Sequence, residues 1–298
     1  MHPSFLRAAL ALAGLLAGAT ATAGQLDRIR ETQQIVLAHR EASVPFSYVG
    51  PGGAPVGYAL DLCLKIVEAV RKELGLRTLD VRYAPVSSAN RIAAIAEGRA
   101  ALECGSTTNN AERRRQVAFT IPHFISTSRL LVRTADNLAT LGDLARKRVA
   151  VTAGTTTVPV LRRLDNEQDL KLQITEMRDH AEAFAALEGN RTDAFALDDV
   201  LLYGLRANAA DPKAFAVIGK PMTVEPYAIM LPKDDPAFKK VVDQEMRRLI
   251  QTGEAQRIYA RWFQQPIPPK NITLDLPMPA LLRDAFRFPS DRVGDLSD

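Results

Sequence analysis

Residues 90–115 read NRIAAIAEGRAALECGSTTNNAERRR. The apolar spacing in the first part predicts a helix over 90–97, and the small-residue run that follows predicts a strand over 100–104. The strand opens directly into a hydroxyl-rich turn and three consecutive arginines. A helix that feeds a strand with polar residues at its C-terminal end is the repeating unit of an α/β sheet, and in open sheets of this kind ligands bind beyond the carboxyl ends of the strands. The same order of helix, Glu-Gly, Arg, small-residue strand and polar turn returns in residues 182–199, EAFAALEGNRTDAFALDD, which points to two similar halves.

Outward from this unit, strands are predicted at 35–38, 81–85, 148–152, 172–175 and 193–197, and helices at 60–74, 158–164, 181–187 and 200–207. Their alternation predicts parallel, doubly wound α/β units. After Pro221 the character changes: PYAIMLPKDDPAFKKVVDQEMRRLI reads as a strand, an Asp-Pro helix start and a long amphipathic helix, followed by GEAQRIYARWF, and both helices are expected to return to the first domain.

The first residues, MHPSFLRAALALAGLLAGATATAGQ, place His2 and Arg7 ahead of a short apolar run and end on Ala21-Thr22-Ala23. This is the pattern of a signal peptide over 1–23, cleaved after Ala23, with no cysteine there to accept a lipid, so the mature chain is expected to be exported and soluble. The remaining stretch of about 275 residues, from a chain that is 47% hydrophobic and 24% charged, suits two globular domains. Net charge is only +4, with both signs interspersed, which argues against a nucleic-acid surface. Four histidines and two cysteines lack metal-ligand spacing, so neither a metal nor a cofactor is expected. Cys63 and Cys104 could form one bridge in an oxidising compartment, but the distance that decides it is not in the sequence.

The predicted strand ends share a polar vocabulary. His39 and Arg40 follow the first strand, and SSANR, with Ser88 and Arg91, follows the strand at 81–85. Ser106, Thr107 and Thr108, then Arg113, follow the strand at 100–104; AGTTT follows 148–152; Asp198 and Asp199 follow 193–197. Of Arg113, Arg114 and Arg115, successive helical residues diverge by about 100°, so they cannot all face one pocket. Arg113, one turn past the strand end, is the candidate carboxylate ligand, since a guanidinium fork matches a carboxylate with two hydrogen bonds, and the other two are assigned to the surface. In AGTTT, Gly154 allows a tight turn, and Thr155 and Thr156 present hydroxyls that serve a ligand or cap the next helix. Asp198 could hold an ammonium or cap its helix, with Asp199 as the alternative cap. His180, between a strand and a helix, reads as a turn residue or a ligand group.

HREASVPFSY at 39–48, GYALDL at 57–62, SSANRI at 87–92, ECGSTTNNAERR at 103–114, AGTT at 153–156, RDHAEAF at 178–184 and WFQQPIPPKN at 262–271 resemble the periplasmic glutamate/aspartate-binding proteins of ABC importers, family 3 of the extracellular solute-binding proteins. The resemblance covers nearly the whole mature chain. It implies an α/β, two-lobed periplasmic-binding-protein clamshell of type II, each lobe a mostly parallel sheet with flanking helices, joined by two crossing hinge segments near 126–132 and 220–230. Lobe 1 would comprise 24–128 and 225–298, and lobe 2 would comprise 129–224.

By the same resemblance, Arg113 would grip the α-carboxylate of a bound L-glutamate or L-aspartate together with Ser106 and Thr108, and Thr156 and its turn would add hydrogen bonds. Asp198 would hold the α-ammonium. Arg40, Ser88, Arg91 and His180 would surround an acidic side chain. The chain departs from many relatives at Ala153, where a serine is usual, at the small Ala89 and at Cys63 within the first helix. The implied activity is capture without chemistry: a periplasmic, monomeric protein that closes on its ligand and presents it to an ABC transporter permease. Two alternatives share the scaffold. One is a cyclohexadienyl or arogenate dehydratase-like enzyme with His180 and Asp198 as an acid and base, and the other is a soluble ligand-sensing component.

Overall fold

The computed structural model describes residues 24–293, so the signal peptide and its cleavage site lie outside the described residues. Two main sheets organise the chain. In the first the strand order is Asp80–Pro85, Gln34–His39, Leu102–Cys104, Met230–Pro232, Val117–Phe119. In the second it is Gln173–Met177, Arg148–Thr152, Ala194–Asp198, Phe124–Arg133, Phe215–Ile218, with Val224–Tyr227 also paired to Phe124–Arg133. The two orders correspond strand for strand. The repeated sequence supplies the central position in each: helix Arg91–Ala96 leads into Leu102–Cys104, and helix His180–Glu188 leads into Ala194–Asp198. All five residues of Ala194–Asp198 are buried, as expected of a strand covered on both faces by helices.

The sheets are mixed rather than mostly parallel. Gln34–His39 runs parallel to both of its neighbours, but Met230–Pro232 runs antiparallel to Leu102–Cys104 and Val117–Phe119. Phe124–Arg133 is likewise antiparallel to Ala194–Asp198, Phe215–Ile218 and Val224–Tyr227. A parallel neighbour needs a helical crossover within its own sheet. These two strands enter from the other sheet instead, so that constraint does not apply to them. A third, small sheet of Ala42–Ser43, Ser47–Val49 and Pro55–Val56 was not legible as strands, its members being two or three residues long.

The chain passes from the first sheet to the second through Phe124–Arg133 and returns through Val224–Tyr227. The two segments pair with each other from Phe124 opposite Tyr227 to Thr127 opposite Val224. An aromatic cluster packs at their base: Phe124 stacks on Phe263 at 4.9 Å, Tyr259 stacks on Phe263 at 4.3 Å, and Phe46 meets Phe124 and Tyr227 edge-on at 5.0 and 5.1 Å. Each such ring stabilises the fold by roughly 1.5–3 kcal/mol through burial. The C-terminal helices therefore do return to the first sheet, where Asp61 of helix Tyr58–Glu73 accepts from Trp262 Nε1 at 2.7 Å and from Arg261 at 3.0 Å.

Cys63, on helix Tyr58–Glu73, is bonded to Cys104, the last residue of Leu102–Cys104, with Cα atoms 6.2 Å apart and both residues buried. The bridge holds the end of the central strand immediately before Gly105 and Ser106.

Candidate ligand-binding site

Seven of the nine expected site residues, Ser88, Arg91, Ser106, Thr108, Thr156, His180 and Asp198, line one narrow cavity, about 220 Å³ with the open space at its mouth included, where the strand ends of the two sheets face each other. Arg40 stands directly behind it, with Nη2 3.4 Å from His180 Nε2. Arg113 lines an adjoining cleft of about 1540 Å³, counted out to its mouth, that shares Ser88, Thr108 and Thr156 with the cavity. The structure thus gathers all nine around a single crevice.

The helix that carries Arg113 is one turn, Ala111–Arg114, capped by Asn110 Oδ1, which accepts from Arg113 N at 2.9 Å. The buried Arg113 side chain donates to Thr108 O at 3.0 Å and to Gly154 O at 3.3 Å, joining the two sides of the crevice. Arg115 is exposed, as expected, but Arg114 is half-buried and donates to Asn109 Oδ1 at 2.9 Å.

Gly154 adopts φ +75°, and a Cβ there would lie 2.6 Å from Ala89 Cα. The glycine is needed for the turn and for the close approach of the two loops, and the small Ala89 belongs to that same contact. Neither Thr155 nor Thr156 caps helix Thr157–Gln168: Thr155 Oγ1 donates to Thr152 O at 2.7 Å, and Thr156 Oγ1 donates to Glu225 Oε2 at 2.9 Å.

His180 is the first residue of its helix, behind the Asp179 cap, and it is buried. Burial, reinforced by Arg40 and Arg91, holds its pKa well below the usual imidazole value, so the ring is neutral at pH 7. Because Nε2 faces an arginine N–H, it accepts, and the ring proton lies on Nδ1, 2.8 Å from Thr152 Oγ1. The two readings of Asp198 and Asp199 also separate. Asp199 Oδ1 accepts from Val200 N and Ser126 Oγ, both at 2.7 Å, and its Oδ2 accepts from Thr127 Oγ1 at 2.7 Å, so it anchors the crossing strand. Asp198 makes no capping hydrogen bond to its helix; its Oδ2 accepts from Tyr227 Oη, and its Oδ1 has no partner among the described residues.

Three buried guanidiniums dominate the electrostatics. Burial, followed by repulsion from Arg91, lowers the pKa of Arg40 to about 9 and of Arg113 to about 10, and burial lowers that of Arg91 as well. Their hydrogen bonds go to carbonyl oxygens and an imidazole, not to carboxylates. Arg40 Nη1, Ser88 Oγ, Arg91 Nε and Ser106 Oγ are buried without any hydrogen-bond partner among the described residues, as is Asp198 Oδ1. Leaving such groups unpaired is costly, above all for charged ones.

The sequence model of the bacterial extracellular solute-binding proteins, family 3, matches residues 35–265. The chain belongs to this family. Curated relatives of this family-3 protein include the L-glutamate/L-aspartate-binding protein of Pseudomonas aeruginosa, 44% identical over 98% of both chains. They also include the glutamate/aspartate import solute-binding protein of Escherichia coli, 40% identical over 96% of both. Among solved structures the fold is similar to that of an ArgBP mutant from T. maritima, with TM-score 0.71 and 22% identity over 80% of this chain and 99% of that one. It is also similar to the cysteine-binding protein of Campylobacter jejuni, with TM-score 0.70 and 23% identity over 80% and 93%.

Two buried carboxylates of this family-3 solute-binding protein were not anticipated. Glu103 is the middle residue of the central strand of the first sheet and accepts from Thr107 Oγ1 at 2.8 Å. Glu225, on the returning crossing strand, accepts from Thr108 Oγ1 at 2.5 Å, Thr156 Oγ1 at 2.9 Å and Thr223 Oγ1 at 2.6 Å. A carboxylate inside a segment expected to cross between lobes was the available signal, but nothing local distinguishes it from a solvated surface residue.

Proposed function

We propose that the protein captures an acidic amino acid, L-glutamate or L-aspartate, between its two lobes and delivers it to the permease of an ABC importer. The observation that carries this reading is the set of buried donors on Arg40, Arg91, Ser88 and Ser106 that have no partner among the described residues, joined by the buried guanidinium of Arg113 at one crevice that also contains the unpaired Oδ1 of Asp198. A ligand with two carboxylates and one ammonium complements that set; a neutral amino acid would leave one cationic cluster uncompensated.

In this reading Arg113 takes the α-carboxylate with Ser106. Thr108 and Thr156, whose hydroxyls already donate to Glu225, contribute there through backbone N–H groups. Asp198 takes the α-ammonium, and Arg40, Ser88, Arg91 and neutral His180 surround the side-chain carboxylate. The lobes are 24–128 with 225–298, and 129–224; the paired segments 124–127 and 224–227 form the hinge between them. The protein works in the periplasm as a monomer after removal of residues 1–23.

Closure is favoured because the ligand contacts both lobes, so its binding energy is available only to the closed form. A thermal-shift screen against all amino acids and small dicarboxylates tests the reading, since a ligand that binds only the folded state raises its melting temperature. The expected result is a large shift with glutamate or aspartate and little with their amides. No shift with either acid would refute it.

A further inference from the structure

Thr108 and Thr156 approach the cavity from opposite sides, and both hydroxyls donate to the same oxygen, Oε2 of the buried Glu225. A hydroxyl has one proton, so once it is donated the oxygen can only accept. Asp198 Oδ1, buried and without a partner, lines the same cavity. Tyr227, which donates to the other oxygen of Asp198, lies two residues after Glu225 on the same crossing strand. These groups give the cavity three acceptors: Thr108 Oγ1, Thr156 Oγ1 and, when ionised, Asp198 Oδ1, whose pKa burial and the Glu225 charge push well up, so that a cation beside it is favoured. An ammonium has three N–H donors and no acceptor; a hydroxyl or keto oxygen in its place would leave acceptors facing acceptors.

We propose that Glu225 is a specificity-determining residue, which restricts the site to ligands with an α-ammonium by fixing the hydroxyls of Thr108 and Thr156 as acceptors beside Asp198. The inference rests on the capture of an acidic amino acid proposed above. Glu225 acts through the two threonines; it is not itself a ligand contact. Its position on the crossing strand, bonded to a residue from each side of the crevice, means that the acceptor wall is completed when the two sides come together. The reading of the ammonium is thereby tied to closure.

The test compares L-glutamate with L-2-hydroxyglutarate, which keeps both carboxylates and replaces the ammonium with a hydroxyl. Affinities are measured by calorimetry for the first and by competition for the second, on the full mature protein. In Glu225→Gln an amide nitrogen in the place of Oε2, the oxygen that both threonine hydroxyls share, donates to them and frees their protons for the cavity. Glutamate is expected to weaken by at least about tenfold while 2-hydroxyglutarate is unchanged or tighter, so that the preference between them narrows by the same factor or more. Thr156→Val, which removes one acceptor and one of the hydrogen bonds to Glu225 but keeps the carboxylate and its bond from Thr108, should weaken glutamate more than 2-hydroxyglutarate, and it decides the question if Glu225→Gln does not fold.

Parallel losses for both ligands, as from a carboxylate that only latches the lobes, would overturn the proposal, as would an unchanged glutamate affinity or a folded variant that binds neither ligand. If the wild-type protein binds neither glutamate nor aspartate, the capture reading itself fails and this inference with it. If the wild type binds and the losses are parallel, only the role of Glu225 fails.

Discussion

Replacing Arg113 with alanine should separate binding from folding. Burial and the neighbouring Arg91 push the Arg113 pKa from 12.5 down to about 10, which corresponds to about 3 kcal/mol of cost in keeping the charge there. Two hydrogen bonds to carbonyl oxygens offset part of that cost in the free protein. The melting temperature of ligand-free Arg113→Ala should therefore lie close to that of the wild type. A bound α-carboxylate, by contrast, would lose its counter-ion in a water-poor site. Removing one partner of a buried charge pair costs about 3–5 kcal/mol, so the dissociation constant for glutamate should rise by roughly 10² to 10³·⁵. Arg113→Lys should recover only part of the loss, since an ammonium cannot make the two parallel hydrogen bonds of the guanidinium fork. The assay is titration calorimetry with glutamate, paired with melting curves of the free proteins. Near wild-type affinity in Arg113→Ala would refute the carboxylate assignment. A large fall in ligand-free stability with retained affinity would show that the arginine is a structural tie between the two sides.

Other perturbations probe different links in the chain from sequence to function. Arg91→Gln should erode the preference for glutamate over glutamine, because the lost attraction is to the side-chain charge; equal losses for the two ligands in parallel titrations would remove Arg91 from the side-chain subsite. His123 is fully buried with neither ring nitrogen hydrogen-bonded, and burial lowers its pKa from 6.5 to about 3. Below pH 6.5 the unfolded chain takes up a proton that the folded one refuses, so stability present above that pH is lost progressively as pH falls toward 3. The loss is about 1.4 kcal/mol per pH unit, or about 2 kcal/mol by pH 5, and His180 acts in the same direction. Urea unfolding at pH 7 and pH 5 should show His123→Phe relieved of that share of the acid sensitivity, and an identical loss in variant and wild type would contradict it. Reduction of the Cys63–Cys104 bond, which spans 41 positions, should lower stability by about 4 kcal/mol on chain-entropy grounds. Denaturant midpoints with and without reductant measure this, and a change below about 1 kcal/mol would argue that the bridge contributes little beyond strand placement.

Much of this architecture was legible because it is local. The helix–Gly–strand–turn pattern at 90–108 and its echo at 182–199 announced the central strand of each sheet, and the polar residues at strand ends announced the crevice. The antiparallel strands were less legible. Phe124–Arg133 and Met230–Pro232 take their direction from the sheet they leave and the sheet they join, information that no window of sequence contains. The arginine run resolved similarly: divergence around a helix argued for one functional residue among three, but the half-buried state of Arg114 depends on Asn109 and on the loop around it.

The sequence by itself determined which chemical groups stand at the strand ends: arginines, hydroxyls, histidines and a pair of aspartates. Their identity and their distance from the preceding strand are local properties. Tertiary structure decided what those groups can do. Asp198 rather than Asp199 is left with an unpaired oxygen only because Ser126 and Thr127, more than seventy residues earlier in the chain, engage Asp199. His180 stays neutral well below the usual imidazole pKa because folding buries it beside Arg40 and Arg91. The hydroxyls of Thr108 and Thr156 accept rather than donate only because Glu225, from a crossing strand remote in sequence from both, takes their protons. Hydrogen-bond direction and protonation state depend on the partners within about 3 Å, and in this protein those partners come from distant parts of the chain.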